Sequence, residues 1–349
     1  MTAQLRVEVD DSPVYEVLLG LFAFSRPAEF AASDAEAPSI GIKQAVASPR
    51  LKRVITLLGG GSYPWDQLIG FASQMPRPRS VARFLDELEH ADALEVLSHM
   101  LGFYAERFPE HVRAAIADAA DGSRTARDLV THTLSQGDPQ RQAVTSQLLA
   151  MPAGQVQALT VEAVRRWHEE VFAQVEAAVA PLLAGDASAK RVLLTSSPEL
   201  LIRIATGIRY VPNPWIEGVV LIPTVVLRPW VIATNYRRLR IYCYAITEDA
   251  SDRPDLPLAP MVRTYQALAN VTRLRLIKSL AASPLTIEQL CRQLEEPESA
   301  LRPHLATLRA ARLVAITCGD QTVYELRDDL LAAIGQPLKA YLEQAAGVD

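Results

Sequence analysis

Six histidines, at 90, 99, 111, 132, 168 and 304, and three cysteines, Cys243, Cys291 and Cys318, are the residues of this chain best suited to acid–base, nucleophilic or metal chemistry. Their spacing does not gather them. Trp167-His168-Glu169-Glu170 lacks the second histidine, four residues on, that would set a zinc pair on one helix face. The cysteines form no CxxC pair and are too few and too far apart for a disulfide framework, so they read as ordinary semi-buried thiols. The glycine run GGGSYP at 59–64 lacks the lysine and the spacing of a phosphate loop. It reads instead as a turn between helices. There is no GxSxG nucleophile elbow. No enzyme activity, cofactor or metal site is expected.

Arginine offers a different chemistry. Its planar guanidinium can bond two acceptors on guanine, provided that a helix carries it into the major groove. The elements needed to do so are legible from residue 261 onward. MVRTYQALA and TRLRLIKSLAAS are two short amphipathic helices, the second ended by Pro284. Thr286 can cap the next helix, IEQLCRQL, by accepting a backbone N–H near its start. Glu295-Glu296-Pro297 turns the chain into ESALRPHLATLRAARL, which carries Leu301, Leu305 and Leu308 on one face. VAIT and TVYEL then flank Cys318-Gly319-Asp320-Gln321 as a β-hairpin. A last helix, DLLAAIGQPLKAYLEQ, is interrupted at Gly335-Gln336-Pro337. Helix, turn, helix and hairpin form the layout of a winged helix-turn-helix, whose second helix enters the major groove.

Across ALANVTRLRLIKSL, TIEQLCRQLEEPESALRPHLATLRAARLV and the hairpin ending VYEL, residues 261 to about 330 closely resemble the ArsR-type family of bacterial regulators. The resemblance implies binding to double-stranded DNA as a homodimer, with a recognition helix at 298–313. It places dimerisation on the last helix and the segment around Met261 to Leu268. Three positions depart from the family pattern. Glu295 and Glu296, with Glu298 nearby, stand where a glycine and an apolar residue are usual, and carboxylates there repel phosphates. Pro303 stands where a polar or basic contact is common. The hairpin tip lacks the usual Arg and Lys. The groups left to touch DNA are Ser299, Arg302, His304, Thr307 and Arg309, with Arg273 and Arg275 from the second helix. Arg302 is the best base reader, while Arg309 and Arg312 suit phosphate contacts or structural pairs. Many relatives sense metals through paired thiols or through His and carboxylates on the last helix. Here Cys291 stands alone, and Asp328, Asp329 and Glu343 have no histidine beside them, so metal sensing is not expected.

The chain has 349 residues, enough for about two domains. Apolar residues make up 49% and charged residues 21%, a globular balance. The net charge of −5 lies wholly before residue 260, since residues 260–349 hold ten cations and ten carboxylates. That neutrality counts against strong non-specific DNA affinity without excluding a local basic face. No apolar run is long enough to cross a membrane. The opening MTAQLRVEVDD lacks a secretory pattern, so a cytoplasmic location is expected.

Before the motif, Leu5 to Val9 alternate as a strand, Ser12-Pro13 starts a helix, and 42–205 is mostly helical. The longest candidate helix is 155–183. After Gly207, IRYV, EGVVLI, WVIATNY and LRIYCYAI read as three or four antiparallel strands. TEDASDRPDLPLAP, at 247–260, reads as a linker. The expected fold is therefore mainly α with a small antiparallel β region. An amino-terminal α+β domain (1–250) leads through a linker (251–260) to a carboxy-terminal winged helix-turn-helix (261–349). The larger domain suits an effector or assembly role, with a small-molecule effector as a further partner. Trp65, Trp167, Trp215, Trp230, Tyr210, Tyr236 and Tyr242 are candidates for pocket walls, though core packing is their commoner use. The alternatives are an interaction module whose winged helix no longer binds DNA, or an enzyme fused to a regulatory domain.

Overall fold

The computed structural model describes residues 5–25, 47–60, 63–102, 109–135, 138–194, 197–227, 230–246, 259–318, 322–327, 331 and 334–345. Most of the expected linker (247–258) and the hairpin tip (319–321) lie outside them. The chain opens with β1 (Arg6–Val9) and α1 (Val14–Phe24). Every residue of α1 is buried, as an apolar run with no polar face requires. Its one charge, Glu16, is also buried, and its carboxylate accepts the Val225 and Val226 N–H groups at 2.6 and 3.1 Å. Those charge-assisted bonds replace the water lost on burial.

Around α1 the chain winds through α2 (Pro49–Leu57), α3 (Tyr63–Gln74), α4 (Val81–His90), α5 (Ala93–Leu101), α6 (Glu110–Ala120), α7 (Arg124–Ser135) and α8 (Pro139–Leu149). Ser48, Ser80, Asp92 and Asp138 cap α2, α4, α5 and α8 through their side chains. The expected helix at 155–183 is two helices. α9 (Ala153–Trp167) runs into a π-helical turn at His168–Phe172, and α10 (Glu176–Leu193) follows. α11 (Pro198–Thr206) ends at Gly207, whose φ of +70° is open to glycine without a Cβ clash.

Two close approaches fix the helices against their neighbours. A Cβ at Gly20 of α1 would lie 2.6 Å from Trp167 Nε1, and one at Gly70 of α3 would lie 2.1 Å from Tyr236 Cδ2. Trp65, Trp167, Tyr236 and Tyr242 are core residues, whereas Trp215 is exposed.

The first sheet is β1–β3–β5–β4, with β3 at Gly218–Thr224, β4 at Val231–Tyr236 and β5 at Leu239–Ala245. It is mixed, which corrects the expected antiparallel arrangement. β3 pairs in parallel with both β1 and β5, and only β4–β5 is an antiparallel hairpin. The hairpin lays β5 between β3 and β4, so β3 and β5 run the same way. β3 is buried throughout. Val220 and Ile222 join the large helical core, and Val219 and Leu221 join a smaller one with Leu201, Ile202 and Tyr244. Burial on both faces is what the continuous run GVVLI reflects.

The carboxy-terminal part has its own core. It comprises α12 (Ala259–Leu268), α13 (Val271–Ala282), β6 (Leu285–Thr286), α14 (Ile287–Leu294), α15 (Glu298–Ala310), β7 (Val314–Cys318), β8 (Thr322–Leu326) and α16 (Gln336–Ala345). Leu276, Leu290, Leu301, Leu305, Leu308 and Tyr324 are among its buried residues. β6 and β7 both pair antiparallel with β8. The fourth strand of this sheet comes from the amino-terminal side. β2 (Ile208–Arg209), expected to join the first sheet, instead pairs in parallel with β7, Ile208 opposite Ile316 and Arg209 opposite Thr317. Among the described residues, no helix is long and apolar enough to cross a membrane.

Candidate nucleic-acid interface

The helical pair α14–α15 is set by local chemistry. Thr286 and Gln289 form a capping box: Thr286 Oγ1 accepts the Gln289 N–H at 3.4 Å, and the Thr286 N–H donates to Gln289 Oε1 at 2.7 Å. The turn that follows depends on Glu295, which closes α14 in the left-handed conformation at φ +58°. Non-glycine residues pay about 1–2 kcal/mol for that conformation, part of which is recovered because glycine loses more entropy on folding. Glu295→Gly is therefore expected to stabilise the protein by roughly 1 kcal/mol. Thermal denaturation of the variant checks this, and a lower Tm would refute it.

α15 starts at Glu298 without a side-chain cap and continues through Pro303. The proline removes the N–H that would bond the Ser299 carbonyl, and the helix keeps its course. With Leu301, Leu305 and Leu308 turned into the core, the first half of the opposite face is open. Ser299, Ala300, Arg302 and Pro303 are exposed. The Arg302 guanidinium is ion-paired with Glu298 one turn earlier, Nε donating to Oε1 at 2.6 Å.

The other expected contact residues fall in different surroundings. His304 is half-buried, and burial, followed by the nearby Arg273 charge, lowers its pKa; Glu296 opposes the shift. Its ring is neutral at physiological pH and keeps one donor and one acceptor. Thr307 turns its hydroxyl back onto the Pro303 carbonyl at 3.0 Å. Arg273 closes the end of α12, its guanidinium donating to the Ala267 and Gln266 carbonyls at 2.6 and 2.8 Å. Burial holds that guanidinium below its ordinary pKa. Arg275 donates to the Leu294 carbonyl at 3.1 Å and lies 4.0 Å from Glu296. Arg309, with Ala306 and Ala310, lines a cavity against the amino-terminal region.

Ser299 and Arg302 thus share the open half of α15, and Arg309 lies on the half beside the rest of the protein. Spacing in the sequence does not single out Arg203, Arg263 or Arg327, which line the same cavity as Arg309. They are far apart along the chain, and only the fold brings them together. Among the described residues, no cluster of three or more His, Cys, Asp or Glu forms a metal-binding group.

Comparison with known proteins places this region. The family described as bacterial regulatory protein, arsR family, matches residues 270–315. The HTH-type transcriptional regulator Rv2034 of Mycobacterium tuberculosis is 37% identical over 84 residues, covering 24% of this chain and 78% of that protein. The HTH-type transcriptional regulator KmtR of the same organism is 32% identical over 71 residues, 20% of this chain and 55% of its own length. No solved structure matches the chain significantly.

Proposed function

Since the chain belongs, through its carboxy-terminal module, to the arsR family of bacterial regulatory proteins, we propose that it is a cytoplasmic transcriptional regulator that binds operator DNA as a dimer through α15, with the amino-terminal region modulating that binding. The observation that carries the reading is the open first half of α15, where Arg302 is exposed on the face opposite the leucine core. In a winged helix-turn-helix that part of the second helix meets base edges. Dimerisation is supported by α16, which exposes Leu338 and Leu342 one turn apart.

A second reading is favoured by the carboxylates at the helix turn. Glu298 engages Arg302, and Glu296 lies beside Arg275. With Glu295 they place negative charge where DNA phosphates would pass. On this reading the module contacts another protein instead.

A salt series over genomic fragments separates the two. The regulator is expected to retain one specific fragment at low salt, with affinity falling steeply as salt rises and with two chains per site in sedimentation. No fragment retained at low salt would reject DNA binding and favour the second reading.

A further inference from the structure

From Leu313 to Leu326 the hairpin of the winged module contains no Lys or Arg, and residues 260–349 hold ten cations against ten carboxylates. A protein that grips DNA does so by setting cations against phosphates, whatever sequence its other contacts read. On the module itself, Arg302 stands on the open face of α15, while the Arg273 and Arg275 guanidinium groups donate to backbone carbonyls. A cation on the hairpin has to come from another part of the chain.

β2 brings one. Its parallel pairing sets Ile208 opposite Ile316 and Arg209 opposite Thr317, one residue before the end of β7. Because the pair is parallel, β2 runs toward the hairpin tip, and Arg209 is its tip-side residue. The start of β2 is tied to α11, since the Thr206 hydroxyl accepts the Ile208 N–H at 3.0 Å. Side chains alternate along a strand. Ile208 is 3% exposed and belongs to the smaller amino-terminal core, so Arg209 points the other way and is exposed. Among the described residues, the Arg209 guanidinium has no hydrogen-bond or ion-pair partner. Its planar donors suit a phosphate.

The hairpin is close enough to α15 for this to matter. β7 begins four residues after α15 ends and packs against it. The major groove is about 12 Å wide, so a helix seated in it has a phosphate backbone on either side. A hairpin that flanks the helix lies beside one of those backbones.

We propose that Arg209 is a phosphate contact for duplex DNA, lent to the wing by the amino-terminal region through β2. The DNA-binding surface is then built from both parts of the chain. This assignment rests on the regulator reading above and extends it: the amino-terminal region takes part in binding directly. Any movement that separates β2 from β7 withdraws a cation from the DNA while leaving α15 untouched.

The test uses the full chain and the fragment retained in the salt series. Arg209→Gln is expected to weaken binding about five- to tenfold at 0.1 M salt and to make the slope of log K against log salt shallower by about 0.9, the release of one phosphate's counterions. The loss is expected to be uniform over a panel of single-base substitutions, as a phosphate contact requires. Arg209→Lys, which keeps the charge, is expected to retain the parental slope. Arg53→Gln, which removes an exposed charge from α2, is expected to bind as the parent does. An Arg209→Gln protein with parental affinity and slope would overturn the contact, and so would a loss confined to one base pair. Equal losses in the Gln and Lys variants with a lowered Tm would assign Arg209 to holding β2 in place and overturn it as well. If the parent retains no fragment at low salt, the regulator reading fails and takes this assignment with it. If the parent binds and only the Arg209 results fail, the regulator reading stands.

Discussion

Leu305→Ala is expected to unfold the winged module while leaving the larger core standing. Leu305 is 1% exposed and sits among Leu301, Leu308, Leu290 and Leu276, all fully buried. Emptying such a site costs about 2–5 kcal/mol. A whole domain is stable by only about 5–15 kcal/mol, and small domains lie at the lower end. The module's core shares no buried residue with the two amino-terminal clusters, so the loss can reach them only across the short β2–β7 pair and the surface beside it.

The protein carries its own reporters for this separation. All four tryptophans, at 65, 167, 215 and 230, precede the module. Thermal melting followed by far-ultraviolet circular dichroism should show a new early transition, while tryptophan fluorescence keeps its parental midpoint. Both signals shifting together would mean that the chain unfolds as one unit.

Arg302→Ala is expected to weaken operator binding by about 1–3 kcal/mol, roughly 5- to 150-fold, and to relax preference at a single base pair. The Glu298 carboxylate competes for the same guanidinium. An exposed pair one helical turn apart is worth only a few tenths of a kcal/mol. A bidentate contact to guanine exceeds that, so if Arg302 reads a base it is expected to exchange partners on docking. Glu298→Gln should then tighten binding modestly, because it removes both the competitor and a charge that repels phosphate. Binding of each variant to a panel of single-base operator substitutions checks the assignment. A loss uniform across the panel would make Arg302 a phosphate contact, and no loss would remove it from the interface.

The module was legible in the sequence because its signals are local. Thr286 three residues before Gln289 specifies a helix start by itself, and the leucines at 301, 305 and 308 specify a buried face. VAIT and TVYEL, separated by a glycine-containing turn, specify the hairpin. The amino-terminal sheet was legible as strands but not as an arrangement. β-Propensity marks IRYV and GVVLI equally well and is silent on which partner each will take. The unbroken apolar run of β3 did hold a hint of parallel pairing, since such runs are buried on both faces.

The candidate interface divides along the same line. Arg302 follows from helical period alone. Arg273 looks like a phosphate contact in sequence because nothing local shows that its guanidinium will close the preceding helix. Arg309 lies on the outward face by period, yet only the fold sets the amino-terminal region beside it.

The two-residue strand β2 has a consequence for any attempt to study the winged module by itself. In the whole protein it covers part of the outer side of β7. Excising the module would bare that side and leave a hydrogen-bonding edge ready to template pairing with a second copy. Self-association of such a fragment would then reflect an exposed sheet margin, and it would be no guide to the dimer proposed for the intact protein.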